Sequence, residues 1–248
     1  MPLRESDIES LQQIPLFSGL EIPDLKSLTA GALLQRFPVR TRLFDSGTQP
    51  DFLHILLDGS VQLSATESES DREVVIEIVT PPDCFILAAA LTDTPYLMSA
   101  TVQEPARLLL LPASELRRDI AAHPELALTL LASLAGQFRR MVRQVKNLKL
   151  RTTVQRVGCF LLSLAETGDA GELGAAEMTV QLPYDKQVIA SQLGMTRESL
   201  SRALATLRDL GVETQNDRIL LKDPVALAAY CHPDRLIDGV EKELRVPR

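Results

Sequence analysis

A pair of short amphipathic helices is predicted between Asp185 and Leu207, and it constrains the fold more than any other segment. Asp185 and Thr196 are residue types that cap helix N-termini, and Gly194 between them suits a sharp turn. Leucine and isoleucine recur one turn apart within each helix, which gives each helix one buried face. The sequence therefore predicts a helix-turn-helix.

The exposed side of the second helix carries polar and charged residues near its N-terminal end: Arg197, Glu198, Ser201 and Arg202. An arginine pairs with guanine O6 and N7, and a carboxylate accepts from cytosine N4, so this end is suited to the major groove of DNA. Thr196 starts the same helix, and Lys186 starts the first helix, where it is predicted to contact a phosphate. The alternative is a solvated charged face, which is common for an isolated Arg-Glu pair.

These residues resemble the bacterial cyclic-AMP receptor protein / fumarate-nitrate regulator (Crp/Fnr) family, and the likeness spans nearly the whole chain. Arg197, Glu198 and Arg202 match the receptor type's pattern of Arg-Glu, three residues, then Arg. Glu198, Ser201 and Arg202 match the fumarate-nitrate type's pattern of Glu, two residues, then Ser-Arg. Within the family, residues 91–95 are similar to the dissimilatory nitrate respiration (Dnr) regulators.

The resemblance implies a homodimeric transcription regulator, such as an activator, that binds palindromic double-stranded DNA with TTGA- or GTGA-like half-sites. RNA polymerase is an expected further partner. The expected fold class is α+β: an N-terminal β-roll of the cyclic-nucleotide-binding jelly-roll type, a long coiled-coil dimerisation helix and a C-terminal winged helix-turn-helix. The expected domains are residues 1–122, 123–150, 151–230 and a C-terminal tail, 231–248.

The formal net charge of −7 speaks against a nucleic-acid partner until its distribution is considered. Seven basic residues and no acid lie between Gln137 and Arg156, whereas acid collects at residues 67–71. DNA binding requires local positive potential rather than a basic whole. No apolar run is long enough to span a bilayer, and the first residues do not resemble a signal peptide, so a cytoplasmic protein without a membrane partner is expected.

Alternating residues predict the strands of the β-roll. Val61, Leu63 and Ala65 alternate with polar residues, which indicates a half-buried strand, and Asp58-Gly59 before it is typical of a hairpin turn. Alternation at Val74, Ile76 and Ile78, and an apolar run at 107–111, predict further strands. Such short, evenly spaced strands favour a β-roll or jelly roll.

A long helix is predicted from about Pro124 to Leu150, and its apolar residues repeat at alternating spacings of three and four. This is the spacing of a two-stranded coiled-coil seam: Leu131, Leu134, Phe138, Met141, Val145 and Leu148. Packing of the helix against its own β-roll is the alternative. A helix capped by Thr152 or Thr153 follows, and then a loop at 168–174. A hairpin wing at 212–221, a helix begun by Asp223-Pro224 and a solvated tail complete the chain.

The effector pocket is where the chain departs from the cyclic-AMP receptor pattern. By the resemblance, a glutamate holds the ribose and an arginine pairs with the cyclic phosphate. Leu87 stands at the glutamate position and Met98 at the arginine position. Cyclic-AMP binding is therefore not expected, because a buried phosphate without a cation is costly. Phe85, Leu87, Leu91 and Met98 are predicted to form an apolar pocket.

Haem is the cofactor that the likeness to nitrate-respiration regulators suggests, and His54 in an apolar strand is the candidate axial ligand. Cys84 and Met98 are other candidates, and a structural role for His54 stays open. The three cysteines, Cys84, Cys159 and Cys231, are too few and too widely spaced for a cysteine-ligated iron–sulfur cluster in one chain. Cys84 and Cys159 are expected to be small buried hydrophobes.

No set of residues in the sequence predicts a catalytic site. The main hypothesis is a regulator in which an event in the β-roll repacks the long helices and moves the recognition helices on DNA. A signal-binding or protein-interaction module that no longer uses DNA is the second hypothesis. The intact Arg197, Glu198 and Arg202 favour the first.

Overall fold

The computed structural model describes residues 8, 11–12, 14–17, 20–67, 73–120, 124–167, 177–215 and 217–238. The chain divides into two compact units, with the division between Gln137 and Phe138, inside one long helix. The domain bounds expected from the sequence, at residues 122, 150 and 230, remain predictions. Among the described helices, none is long and apolar enough to cross a membrane.

The first unit is built on a six-stranded antiparallel sheet with the β-roll fold that the sequence predicts. Its strands are β1 (Leu33–Phe37), β2 (Arg42–Phe44), β3 (Phe52–Thr66), β4 (Glu73–Val79), β5 (Asp83–Phe85) and β6 (Ser99–Pro112). β6 pairs with β1, β2 and β3, and β3 also pairs with β4 and β5. The helices of this unit are a 3-10 turn (Pro15–Phe17), α1 (Ile22–Leu28), α2 (Leu87–Thr92), α3 (Ala113–Ile120) and the start of α4 (Pro124–Leu150).

Two apolar clusters lie on opposite faces of β3. Leu53 and Ile55 pack with α1, α2, α3 and the first turns of α4, in what we name the helix-side cluster. Leu56, Val61 and Leu63 face the inside of the roll, in what we name the roll interior. Before Gly59 the even-numbered residues of β3, such as Leu56, face the roll interior, and after it the odd-numbered residues do. The change occurs because the pairing with β6 shifts register there.

The hairpin predicted at Asp58-Gly59 is wrong, because β3 runs through both residues without turning. Gly59 has a φ of +83° and lies against β6: a Cβ at this position would be 2.3 Å from the Pro105 carbonyl oxygen. The same glycine that permits a turn here permits a bulge and a close approach of two backbones.

The polar residues of β3 are also not on a solvated face as predicted. Ser60, Gln62 and Ser64 are buried. The Ser64 hydroxyl donates to Glu73 (2.6 Å), and the Gln103 amide donates to the Gln62 side-chain oxygen. Neighbouring polar side chains therefore cover Gln62 and Ser64.

The strand alternation predicted on β4 is wrong as well. Val75, Ile78 and Val79 are buried there, rather than every second residue from Val74, because the pairing with β3 shifts between Leu63 and Ser64.

The second unit is a winged helix. Its helices are α5 (Thr153–Thr167), α6 (Lys186–Gln192), α7 (Arg197–Leu207) with a 3-10 turn (Arg208–Leu210), α8 (Pro224–Cys231) and α9 (Arg235–Asp238). Its strands are β7 (Met178–Gln181), β8 (Val212–Gln215) and β9 (Arg218–Leu221), in the order β7-β9-β8. The predicted wing is thus confirmed as β8 and β9, although Asn216 at its turn and the loop at 168–174 lie outside the described residues.

Local capping defines where the helices of this unit begin. Thr152 caps α5, since its hydroxyl accepts from the Gln155 N–H (3.3 Å) and the Gln155 side chain accepts from the Thr152 N–H (3.0 Å). Asp223 caps α8 through the Ala226 N–H (2.8 Å), with Pro224 as its first residue.

Candidate DNA-recognition surface and sensor interior

The helix-turn-helix forms with the caps that the sequence predicts. Asp185 accepts hydrogen bonds from the N–H groups of Gln187 (2.7 Å) and Val188 (3.0 Å) at the start of α6. Thr196 accepts from the Ser199 N–H (3.2 Å) at the start of α7. Each cap satisfies N–H groups that a helix cannot satisfy itself, so the two helices have fixed starting points.

The predicted recognition residues lie together on the exposed side of α7. Leucines and Ala203 on the opposite side are buried in the core of the unit. Thr196, Arg197, Glu198, Ser201 and Arg202 are exposed, whereas Lys186 at the start of α6 is half-buried.

Two of these residues, Glu198 and Arg202, make hydrogen bonds within the chain. The Arg202 guanidinium donates to the Ser199 hydroxyl (3.2 Å). The pKa of the Glu198 carboxyl is held below its usual value by a hydrogen bond from its own backbone N–H and by the Thr196 hydroxyl. Glu198 is therefore an anion at neutral pH, which is the form that accepts from a cytosine amino group.

Arg156 of α5 supports the turn between the two helices, a role that sequence reasoning missed. Its guanidinium donates to the carbonyls of Leu193 and Gly194, the second at 3.3 Å. Gly194 has a φ of +64°, and a Cβ there would be 2.6 Å from Leu148 Cδ2. The turn is thus held by α5 on one side and by the end of α4 on the other.

The basic stretch between residues 137 and 156 is not wholly available for DNA. Arg156 binds the turn, Arg151 forms an ion pair with Asp238 (2.5 Å), and Lys146 lies 3.6 Å from Asp234. These contacts are within the second unit and offset part of the positive potential that the sequence predicts. The composition of the stretch gives no sign of which cations are used internally.

The predicted seam residues of α4 differ in their exposure. Leu131, Phe138, Met141, Val145 and Leu148 are exposed, with Phe138 at 67% and Met141 at 62%. Leu134 instead packs partly against the helix-side cluster of its own unit. Apolar side chains this exposed at heptad spacing are typical of a helix that packs against another copy.

The four predicted pocket residues do not lie in one cluster. Phe85 and Met98 belong to the roll interior, whereas Leu87 is fully buried in the helix-side cluster and Leu91 packs against it. Ile86 between Phe85 and Leu87 has a φ of +56°, and this sharp bend sends the two neighbouring side chains to opposite cores.

His54 lies in the roll interior among aromatic rings. Its centroid is 5.1 Å from that of Phe44 and 5.4 Å from that of Phe85, and Tyr96 packs 4.0 Å from Phe44. Burial lowers the pKa of His54 to about 4, so the imidazole is neutral at pH 7. Its Nδ1 is buried without a hydrogen-bond partner. Sequence reasoning missed Phe44 and Tyr96, because they lie on separate segments of the chain.

Of the two other candidate ligands, Met98 packs against the roll interior, where His54 lies, and Cys84 does not. Cys84 is buried in the helix-side cluster, with its sulfur 3.2 Å from the Ser133 hydroxyl of α4. Cys84 and Cys159 are thus buried small side chains as predicted. His232 is exposed, and His123 lies outside the described residues.

Comparison with known proteins matches both halves of the chain. A cyclic nucleotide-binding domain model matches residues 34–123, and a Crp-like helix-turn-helix domain model matches residues 155–230. The CRP-like cAMP-activated global transcriptional regulator of Mycobacterium tuberculosis is 29% identical over 221 residues, which are 89% of this chain and 97% of that protein.

Solved structures agree with this assignment. A candidate cyclic nucleotide-binding protein from Ruegeria pomeroyi DSS-3 is 30% identical, with a TM-score of 0.57 over 91% of this chain and 99% of that one. DNR from Pseudomonas aeruginosa, 24% identical, shares the fold with a TM-score of 0.50 over 93% of this chain and 100% of that one. On the two domain models and these relatives, the chain belongs to the Crp/Fnr family of transcription regulators.

Proposed function

We propose that the protein is a homodimeric, sequence-specific DNA-binding regulator whose β-roll responds to a signal other than cyclic AMP. The observation that carries DNA recognition is the row of exposed polar side chains on α7, with Glu198 ionised and Arg202 ordered by Ser199. In the major groove, Arg197 and Arg202 donate to guanine and Glu198 accepts from cytosine. Ser201 and Thr196 contact the DNA in the same groove, and Lys186 contacts a phosphate.

Dimerisation supplies the second recognition helix. Two copies of α4 pack along Leu131, Phe138, Met141, Val145 and Leu148, and Leu134 contributes through its uncovered part. A two-fold dimer places one α7 on each half of a palindrome with TTGA- or GTGA-like half-sites. Binding there recruits RNA polymerase, and the sensor changes the packing of α4.

The argument against cyclic AMP rests on two apolar positions. By the resemblance to cyclic-AMP receptor proteins, Leu87 and Met98 stand where those proteins have the glutamate and arginine that hold the nucleotide. Leu87 is buried in the helix-side cluster, so its side chain does not face the roll interior at all. A cyclic phosphate beside Met98 loses its hydration without gaining a charge partner at either position.

Haem is the ligand that we propose to test first, and the donor chemistry of His54 suits it. The imidazole is neutral and buried, and a neutral ring nitrogen is the form that ligates a metal. Haem would supply an iron that binds a diatomic gas, and His54 would hold that iron from the roll interior. The rings of Phe44 and Phe85 pack on the imidazole, so at least one of them has to move to admit the macrocycle.

Gel-shift titration tests the DNA-binding function. The full chain is titrated on a palindrome with TTGA or GTGA half-sites and on a scrambled duplex of equal length, at fixed salt. We expect at least about a thousandfold preference for one of the palindromes. Equal affinity for all duplexes would leave the alternative, a signal-binding or protein-interaction module that does not depend on DNA.

Absorption spectroscopy tests the signal separately. Protein produced with haem supplied is expected to have a Soret band that shifts with nitric oxide or carbon monoxide, and His54→Ala should alter that band. A protein that takes up no haem would overturn this choice of ligand and leave the DNA-binding function untouched.

A further inference from the structure

A short C-terminal segment packs against the joint between the long helix and the winged helix. α4 ends at Leu150 and α5 begins at Thr153, so only Arg151 and Thr152 join them. Arg151 forms a two-pronged ion pair with Asp238 of α9: Nη1 to Oδ1 is 2.6 Å and Nη2 to Oδ2 is 2.5 Å. The side chains are 6% and 15% exposed, so the pair is largely desolvated.

Further contacts fasten the same segment to the end of α4. The Arg151 guanidinium also donates to the Asn147 side chain (3.1 Å), and Lys146 Nζ lies 3.6 Å from Asp234. The Asp234 N–H donates to Asp238 (2.8 Å), which fixes the carboxylate in place. Residues 234–238 therefore contact the last two turns of α4 and the joint itself.

Cys231, the last residue of α8 and the one directly before residues 232–238, is held against α5 by its contact with Cys159. The Cys159 thiol of α5 points at the Cys231 carbonyl (3.6 Å), and both residues are buried. The Cys231 sulfur lies against Gly158, where a Cβ would be 2.1 Å away. The segment thus connects α5 at one end with α4 at the other, and it lies beyond residue 230, where the match to the Crp-like domain ends.

We propose that Arg151 and Asp238 are positioning residues for DNA recognition: residues 232–238 form a strut that fixes the angle between α4 and α5. Two bonds and a two-residue joint leave few ways for the helices to rotate while the pair is intact. The strut thereby holds the two recognition helices of a dimer at the spacing of one palindrome. This inference rests on the DNA-binding function proposed above.

The test combines a local probe with a DNA measurement. Asp238→Asn leaves the Arg151 charge buried with a weaker partner, so the joint should open more often. Native-state alkylation should then speed up by roughly tenfold or more at Cys159 and Cys231 but not at Cys84, which lies in the other unit. Affinity for the palindrome should fall several-fold. Asp234→Asn, at the longer and more exposed contact of the same segment, is the graded comparison and should change both readouts less than Asp238→Asn does.

A charge-swapped pair, Arg151→Asp with Asp238→Arg, should recover protection of the two cysteines relative to either single variant. Unchanged alkylation in Asp238→Asn would overturn the strut, and an equal rise at Cys84 would assign the effect to global unfolding instead. Faster alkylation with unchanged DNA affinity would overturn the positioning role. If the unaltered protein did not bind the palindrome, the proposed function would be overturned. The alkylation rates would still show whether the Arg151–Asp238 pair fixes the joint.

Discussion

Arg156 of α5 donates a hydrogen bond to the carbonyl of Leu193, 37 residues later, at the turn that joins the two helices of the helix-turn-helix. Burial lowers the pKa of this guanidinium, and its Nε is buried without a hydrogen-bond partner. Burying a cation costs free energy. Here the guanidinium donates to carbonyls just past the C-terminal end of α6, which the helix itself leaves without a hydrogen bond. The recognition helix is therefore positioned by a neighbouring helix as well as by its own turn.

Gly194→Ala tests how tightly that turn is held. An alanine at a φ of +64° is strained, and its Cβ would approach Leu148 and Arg156. We expect a loss of about 1–2 kcal/mol in the free energy of unfolding and weaker binding to the palindrome. Gly47→Ala is the control, because Gly47 has a φ of +85° with nothing within 4 Å. Its strain should cost stability without changing DNA affinity, and equal DNA-binding losses in both variants would contradict a specific role for the turn.

Arg202→Ala and Glu198→Ala should each remove sequence discrimination. A base-edge contact typically carries about 1–3 kcal/mol of discrimination, or roughly five- to 150-fold in relative affinity. Titration against the palindrome and against single base-pair variants of it measures this ratio. Arg208→Ala, at the other end of α7, serves as the control for loss of a charge. Equal losses on specific and random duplexes would argue against base readout by either residue.

Lys186→Ala should behave differently, because a phosphate contact carries no sequence information. We expect weaker binding to every duplex by a similar factor. The slope of log affinity against log salt should shrink by about one. A selective loss on the palindrome would instead place Lys186 at a base edge.

Features set by neighbouring residues were predictable from the sequence. The caps at Asp185, Thr196 and Asp223 depend on N–H groups two or three residues away, and each forms as predicted. The period of α4 is likewise a local property, and the helix ends at Leu150 as predicted.

Features set by distant segments were not predictable. A glycine at a positive φ fits a turn or a bulge equally, and only the approach of β6 decides in favour of the bulge at Gly59. Residues past Tyr230 were predicted to be a solvated tail, and this is wrong for Asp238, whose partner Arg151 is 87 residues away. The pocket prediction failed to account for the bend at Ile86, which separates Leu87 from Phe85.

Phe138→Glu or Val145→Glu should give a monomer by light scattering. Each glutamate would face its own copy in the seam, where a charge loses its hydration without gaining a partner. Arg139→Glu places the same side chain one residue away from Phe138, outside the seam, and should stay dimeric. A dimeric Phe138→Glu protein would place the interface elsewhere.

The free energy of unfolding of the haem-free protein should decrease as the pH is lowered, and His54 should account for part of that decrease. Its pKa is about 4 in the folded protein and 6.5 ordinarily. Between these values the unfolded chain takes up a proton that the folded chain does not, so the free energy of unfolding decreases as pH falls from 6.5 to 4. The difference approaches about 3 kcal/mol at the acid end. Tyr96 in the same cluster does not titrate in this range, since the pKa of a phenol is ordinarily near 10 and burial raises that of Tyr96 to about 12.

Urea unfolding at several pH values, with His54→Phe, isolates this contribution. The variant keeps an aromatic ring in the cluster, and its unfolding free energy should depend less on pH between 6.5 and 4. His232→Phe, at an exposed position, controls for the loss of a histidine. A pH dependence identical to that of the unaltered protein would mean that His54 is not held neutral by burial.

Cyclic AMP should not bind in the roll interior at physiological concentration. Leu87 faces the helix-side cluster and Met98 brings no charge, so the cyclic phosphate would be buried without a counter-charge at these positions. Isothermal titration calorimetry should detect no heat of binding, under conditions in which the cAMP-activated regulator of Mycobacterium tuberculosis serves as the positive control. Micromolar binding by this chain would require a cationic side chain elsewhere in the roll. It would overturn the proposal that the signal is not cyclic AMP.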